Sequence, residues 1–398
     1  MAPAAVDLSP ILQVILAGAL IAAMALAWVW LRARRTGSRN WLRAVTVLTL
    51  FLTFDLVLFG AFTRLSDSGL GCPDWPGCYG NASPVGARAE IHAAQSAMPS
   101  GPVTHGKAWI EMVHRYLATG VGALILVLTV ASWRAHWQRR AVADGPSPWW
   151  PTVTLLWVCV QGAFGAFTVT MRLFPAIVTL HLLGGLFLLV LLAIQVHQQS
   201  LASAGAAPPT QIDARTRSGL LLVAVLLAIQ LALGGWVSTN YAVLACTDFP
   251  TCQGSWWPAM RFDQGFEVWR ELGMTSTGDA LSFAALTAIH YVHRLMAYVV
   301  LSALFLLAWR LSRFDGLRKL ARWILVLALM QLATGLSNVV LDWPLIAALL
   351  HTGGAAALAV CLTWAICSSQ VGVSVPQARQ RRHLPDANGA VRGVRGAQ

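Results

Sequence analysis

The segment Cys72-Pro73-Asp74-Trp75-Pro76-Gly77-Cys78-Tyr79-Gly80 returns 174 residues later as Cys246-Thr247-Asp248-Phe249-Pro250-Thr251-Cys252-Gln253-Gly254. Both read C-x-D-[WF]-P-x-C-x-G, and the same offset superimposes Gly60 on Gly234. Farther along, His114-Arg115 matches His293-Arg294 at an offset of 179. His181 matches His351 at 170, together with Gln161, Gly165 and Val169 on Gln331, Gly335 and Val339. Order and spacing are kept throughout, so the chain reads as one structural unit used twice.

What surrounds these landmarks fixes the kind of unit. The 398 residues are 57% hydrophobic and only 11% charged, a composition that no soluble globule, disordered chain or disulfide miniprotein shares. Apolar runs long enough to cross a bilayer occur near Ile11–Leu31, Leu42–Phe62, Ala108–Ser132, Trp149–Val169, Pro175–Val196, Ser218–Val237, Ala284–Trp309, Trp323–Leu341 and Pro344–Cys367. The expected fold is therefore an all-α multi-pass membrane protein of about nine transmembrane helices. Helices two to five and six to nine form two pseudo-symmetric four-helix bundles, related by an axis along the membrane normal, and one extra N-terminal helix stands outside the duplication. The expected division is residues 1–41 for that helix and its linker, 42–200 and 201–368 for the bundles, and 369–398 for a disordered tail rich in Arg, Gly, Pro and Gln.

The net charge of +12 would suit a nucleic-acid binder if it were not spent on topology. Alternating the segments across the bilayer puts 20 of the 28 Lys and Arg on one side and six on the other, with Arg115 and Arg294 inside helices. The positive-inside rule makes the first side cytoplasmic, with the N-terminus outside and the C-terminus inside. Nucleic acid is excluded as a partner, and the lipid bilayer is implied. The first apolar stretch is read as a retained helix, because its arginines follow it instead of preceding it.

Of ten histidines, His92, His105, His136, His197 and His383 fall in loops, near helix ends or in the tail. His114, His181, His293 and His351 differ: each lies six or seven residues inside a helix entering from the outer face, roughly 10 Å deep at the α-helical rise. Two imidazoles per bundle, on two helices at one depth, are what bis-histidine haem ligation requires. The rival reading is a tetrahedral zinc site, which needs further Cys, His or carboxylate ligands at the same depth.

The repeats diverge three residues before one ligand candidate, where the first has Glu111 and the second His290. Positions i and i+3 share a helix face, so a carboxylate would stand beside one haem and not the other, with chemistry at the first site and electron storage or transfer at the second. Against this, Glu111 could simply pair with an arginine, and His290 could ligate in place of His293. Arg115 and Arg294 could neutralise haem propionates or snorkel outward. Asp55 is a further buried acid without an assigned role. Cys72/Cys78 and Cys246/Cys252 are spaced to close short disulfide loops on the oxidising side, or to exchange electrons as dithiols, while Cys159, Cys361 and Cys367 read as packing residues.

At these residues the chain resembles the haem A synthase family. Gly60-Ala61-Phe62-Thr63-Arg64-Leu65-Ser66-Asp67-Ser68-Gly69-Leu70 is similar to that family's G-G-x-T-R-L-T-x-S-G-L signature, with Ala61 in place of the second glycine. Glu111-Met112-Val113-His114-Arg115 is similar to its E-x-x-H-R motif. The resemblance spans about residues 42 to 368. It implies that the first bundle binds substrate haem O through His114 and His181 and that the second holds haem B through His293 and His351. It also implies that Glu111 acts in oxidation of the C8 methyl group to a formyl group, with Arg64, Arg115 and Arg294 as candidate haem propionate or substrate contacts. Loop cysteines in some members form a disulfide, which Cys72 and Cys78 match. The implied setting is the bacterial cytoplasmic membrane, with haem O synthase and an electron acceptor as partners and a homo-oligomer left open.

Conversion of methyl to aldehyde removes four electrons, and the sequence carries no dinucleotide fingerprint, so a haem must do the oxidation. The competing class is a dihaem b-type electron carrier oxidising quinol, for which two alike sites would be natural. A haem transporter is a third. The contrast of Glu111 with His290 favours the enzyme.

Overall fold

In a bilayer each backbone N–H has no partner but the carbonyl one turn back, and the apolar runs adopt that solution repeatedly. The computed structural model describes residues 9–36, 40–138, 146–202 and 208–372. In chain order these form α1 (Ser9–Thr36), α2 (Trp41–Leu65), α3 (Arg88–Ala97), α4 (His105–Gln138), α5 (Trp149–Thr170), α6 (Pro175–Leu201), β1 (Thr210–Ile212), α7 (Ala214–Thr239), α8 (Phe262–Gly265), α9 (Phe283–Leu311), α10 (Arg318–Val340), α11 (Leu345–Cys367) and β2 (Ser369–Val371). Among the described residues nine helices, all except α3 and α8, are long and apolar enough to span a membrane. The chain is an all-α multi-pass membrane protein.

Local chemistry sets the ends and silences the polar side chains. Asp213 caps α7 by accepting from the Thr216 N–H at 3.0 Å, Ser282 caps α9 through the Ala285 N–H, and Pro175 occupies the first turn of α6. Thr46, Thr49 and Thr53 on α2 donate to the carbonyls of Leu42, Val45 and Thr49 at 2.9, 2.8 and 2.7 Å. Their hydroxyls thus need no partner from lipid.

Each repeat closes into the same ring. In the first, α2 packs on α4, α4 on α5, α5 on α6 and α6 on α2; in the second, α7, α9, α10 and α11 follow the same cycle. Between the bundles α6 meets α7, α2 meets α11, and α6 meets α11. Exchanging the repeats turns the first contact into the second and the third into itself, which is the pseudo-twofold relation expected from the sequence. Helix α1 lies outside both rings and packs chiefly on α4. There a Cβ on Gly18 would meet Thr119 Cγ2 at 2.5 Å, and one on Gly120 would meet Ile21 Cγ2 at 2.9 Å. Small residues let the two backbones approach.

Several helices run up to six residues beyond the spans read from the sequence, and two differences bear on the fold. Helix α4 starts at His105 and runs to Gln138, beyond Ala108–Ser132 at both ends, because polar residues continue a helix as readily as apolar ones once it has left the hydrocarbon. The tail expected from residue 369 begins instead as β2, paired in parallel with β1 through Thr210↔Ser369, Gln211↔Gln370 and Ile212↔Val371. Arg217 fixes this joint by donating to the carbonyls of Ile366 and Ser369 at 2.6 and 3.1 Å. Residues 373–398 lie outside the described ones.

Candidate functional site

The repeated loop motif explains itself at the level of single hydrogen bonds. Asp74 accepts from the N–H groups of Tyr79 and Gly80 at 2.6 and 2.7 Å, and Asp248 from those of Gln253 and Gly254 at 2.6 and 3.0 Å. The turn so tied has two residues in succession with positive φ, 49° and 69° in the first loop and 56° and 71° in the second. Glycine at the last motif position removes the steric cost there. The Thr251 hydroxyl first, then the Gly254 and Gln253 N–H groups, hold the Asp248 carboxyl down at about 2, so this turn stays anionic across the physiological range. Cys72 is bonded to Cys78 and Cys246 to Cys252, with 4.9 Å between Cα atoms in both.

Each loop is fastened to the helix beneath by the arginine that follows a histidine. Arg115 donates to the carbonyls of Asp74, at 2.9 Å, Pro76, at 3.2 Å, and Gly77, and it pairs with Glu111. Arg294 donates to the carbonyls of Asp248 and Thr251 at 3.1 and 2.7 Å. Arg64 reaches the other bundle instead: it donates to the Ser238 carbonyl at 2.5 Å and lies 3.8 Å from the centre of the Tyr241 ring, while the Tyr241 hydroxyl donates to Asp67 at 2.6 Å. The three arginines read from the sequence as propionate contacts are thus engaged in holding loops and bundles together. Glu111 is 4% exposed, and besides Arg115 it accepts the Cys72 N–H at 2.8 Å. The pairing of Glu111 with an arginine, one of the two readings the sequence left open, is present.

Beneath the loops lie the four histidines. His114 is within coulombic range of His181, and His293 of His351, so each bundle contains one imidazole pair. Every member rests on a glycine of a neighbouring helix. A Cβ on Gly60 would meet His114 Nε2 at 3.0 Å; on Gly165, His181 Cε1 at 3.4 Å; on Gly234, His293 Cε1 at 3.0 Å; on Gly335, His351 Cε1 at 3.2 Å. Gln161 and Gln331 fill the spaces left by Gly184 and Gly354, where a Cβ would come within 1.8 and 2.4 Å of their Nε2 atoms. Among the described residues no three His, Cys, Asp or Glu side chains gather into a metal-ligand cluster, so the tetrahedral zinc reading finds no ligand set. A haem iron asks for two imidazoles on different helices, and each bundle has one such pair.

The two pairs are furnished differently. In the second bundle, Gln230 Nε2 lies 3.1 Å from Nδ1 of His293 and the Thr334 hydroxyl lies 3.0 Å from Nδ1 of His351. In the first, Nδ1 of His181 is buried with no side-chain partner, the Gln161 backbone being its polar neighbour as that of Gln331 is for His351. The repeat positions equivalent to Gln230 and Thr334 are Leu56 and Phe164, which cannot hydrogen-bond an imidazole, and Phe59 stacks parallel to His114 at 6.3 Å. His290 has its Nδ1 3.0 Å from the Ala242 carbonyl. Its ring is tied to the loop, as Glu111 is tied in the first repeat.

Residues 43–363 match the COX15-CtaA family, described as cytochrome oxidase assembly protein. The chain belongs to this family. Among its relatives are proteins named heme A synthase from Shewanella oneidensis, 38% identical over 79% of this chain and 92% of that protein, and from Halalkalibacterium halodurans, 25% identical over 74% and 86%. A third, from Mesorhizobium japonicum, is 28% identical over 79% and 85%. The matched span begins in α2 and ends in α11, so it covers both rings and leaves α1 aside.

Proposed function

We propose that this protein is a haem A synthase, an oxidoreductase that converts the C8 methyl group of haem O to a formyl group. The observation that carries the reading is the inequality of two otherwise equivalent imidazole pairs. His293 and His351, each with a hydrogen-bonding group at Nδ1, are furnished to hold a resident haem B in fixed orientation, since such outer contacts set tautomer and ring direction. His114 and His181 have no side-chain contact of that kind, which suits a haem that must enter and leave. A bound haem iron supplies the redox chemistry of C–H oxidation. The chain's part is to bind and orient both macrocycles and to hold Glu111 one helical turn from His114 as the proton-accepting carboxylate, positioned by Arg115 and the Cys72 N–H.

Mass spectrometry of haems extracted from the purified protein tests this. Haem B together with haem O, a hydroxylated intermediate or haem A is expected; haem B alone would favour a dihaem electron carrier and remove the enzymatic reading.

The loops carrying the disulfides are assigned to the outer side of a bacterial cytoplasmic membrane, with the N-terminus outside and the C-terminus inside. The support is the arginine excess of the opposite side. A cysteine introduced at Asp263 should react with an impermeant thiol reagent in intact cells, and one at Arg318 should not. Reversed labelling would overturn the orientation.

A further inference from the structure

Asp55 sits in the middle of α2, about 15 Å from the loop-side end at the helical rise, and in contrast to the buried acid read from the sequence it is exposed on the bundle surface, because that face of α2 borders a groove and not the bundle core. It makes no hydrogen bond or ion pair among the described residues. A carboxyl group at that depth with no partner is costly in hydrocarbon and is retained where it does something. It lines a groove of about 510 Å³ between the bundles, walled by Phe59 and Phe62 of α2, Met330 of α10 and Leu350, Gly353 and Ala357 of α11. Asp55 is the one ionisable residue in an otherwise apolar wall.

The groove touches the surroundings of both imidazole pairs. Phe59 stacks on His114, and Gly353 and Gly354 follow His351 by two and three residues on α11. Gln331, against Gly354, donates to the His351 carbonyl at 2.9 Å. A molecule in the groove would therefore lie against Phe59, which stacks on His114, and against the helix that carries His351.

We infer that this groove binds a prenylated quinone, with Asp55 delivering protons to its carbonyl oxygens as it is reduced. The inference rests on the proposed oxidation of haem O. That reaction must shed electrons: R–CH3 + H2O becomes R–CHO + 4 H+ + 4 electrons. Two quinones take up these four electrons and four protons to give two quinols, so the balance closes with the quinone as sole oxidant and water as the oxygen source. A membrane-dissolved acceptor of electrons and protons in pairs matches an apolar groove with one protonatable group. The prenyl chain of haem O itself would fill the apolar walls equally well but has no use for a carboxyl group halfway along.

The test uses the haem-loaded protein in lipid nanodiscs and a short-chain quinone, decylubiquinone, with an azido-quinone for photolabelling. Label is expected on peptides containing Asp55 and Leu349–Ala357. Ala357→Phe, which fills the groove, should weaken decylubiquinone binding about tenfold or more. Asp55→Asn should leave binding nearly intact but slow quinone reduction by about 100-fold, the usual size of a lost proton donor. Haem content and spectrum, measured in parallel, report that each variant is folded. Label elsewhere, unchanged decylubiquinone binding in Ala357→Phe, or wild-type quinone reduction in Asp55→Asn overturns the inference. So does Ala357→Phe weakening haem O uptake while decylubiquinone binding stays, because the groove would then hold the substrate's prenyl chain. Quinone bound in the groove of a protein that forms no haem A with any oxidant would support the site and remove the proposed function.

Discussion

Glu111→Ala is expected to abolish haem A formation while the second bundle keeps its haem. Glu111 lies one turn before His114 on α4, beside whatever that imidazole holds, and its counterpart in the second repeat is a histidine turned to a loop carbonyl. Alanine also leaves the buried Arg115 guanidinium without its anion, and breaking a buried pair costs about 3–5 kcal/mol, so loss of activity alone would not separate chemistry from architecture. Glu111→Gln separates them. The amide oxygen can still accept the Cys72 N–H, but the group cannot take up a proton. If the carboxylate is the proton acceptor, Gln should be nearly as inactive as Ala, with a fall of about 100-fold or more, and its disulfide loop should remain protease-resistant. If Glu111 only anchors the loop, Gln should keep much of the activity and Ala should expose the loop. Haem O, hydroxylated intermediates and haem A, quantified by chromatography after expression with a haem O supply, give the readout. Wild-type haem A in both variants would mean that the catalytic site lies elsewhere.

The sequence made the helices, their duplication and the histidine pairs legible because each rests on a period or an offset that survives without coordinates. Apolar runs can only be spans in this composition, and an offset shared by His181 and His351 and their companions Gln161 and Gln331 needs no structure to be seen. The cysteine spacing likewise announced two small loops, both closed in the structure.

What stayed hidden depends on which elements approach which. Arg115 and Arg294 stand beside histidines in sequence, which suggests haem contacts; what spacing does not announce is that both also donate to loop carbonyls from about forty residues earlier, brought down by the turn that Asp74 and Asp248 tie. Gly60 and Gly234 were matched as repeats, but that each leaves room for a histidine on a different helix is a fact of packing. No motif singles out Gln230 and Thr334, although the sequence carries a signal for them. Setting the repeats side by side puts Leu56 and Phe164 opposite them, and polar residues kept in one bundle only, at spans' depth, mark a difference in task. The contrast of Glu111 with His290, polar in both bundles but of different chemistry, is a related signal.

On the proposed reading, His293→Ala or His351→Ala should deplete bound haem B, because each would remove one of the two imidazoles proposed to hold it, and among the described residues no third imidazole is free to replace it. His290 is the nearest substitute by sequence, but with its Nδ1 3.0 Å from the Ala242 carbonyl its ring belongs to the loop. His290→Ala is accordingly expected to keep the haem and its low-spin, six-coordinate spectrum. The supporting contacts give a graded version of the same experiment. Thr334→Val deletes the group 3.0 Å from Nδ1 of His351, and Gln230→Leu the one 3.1 Å from Nδ1 of His293; both leave the ligands themselves in place. Loss of such an outer contact typically weakens a metal site by about 10–100-fold, which would appear as haem lost during purification and a shifted reduction potential in what remains. Haem retained in full by His293→Ala and lost from His290→Ala would exchange the two ligands. Wild-type affinity and potential in both Thr334→Val and Gln230→Leu would mean that the unequal furnishing of the two pairs does not decide which haem stays.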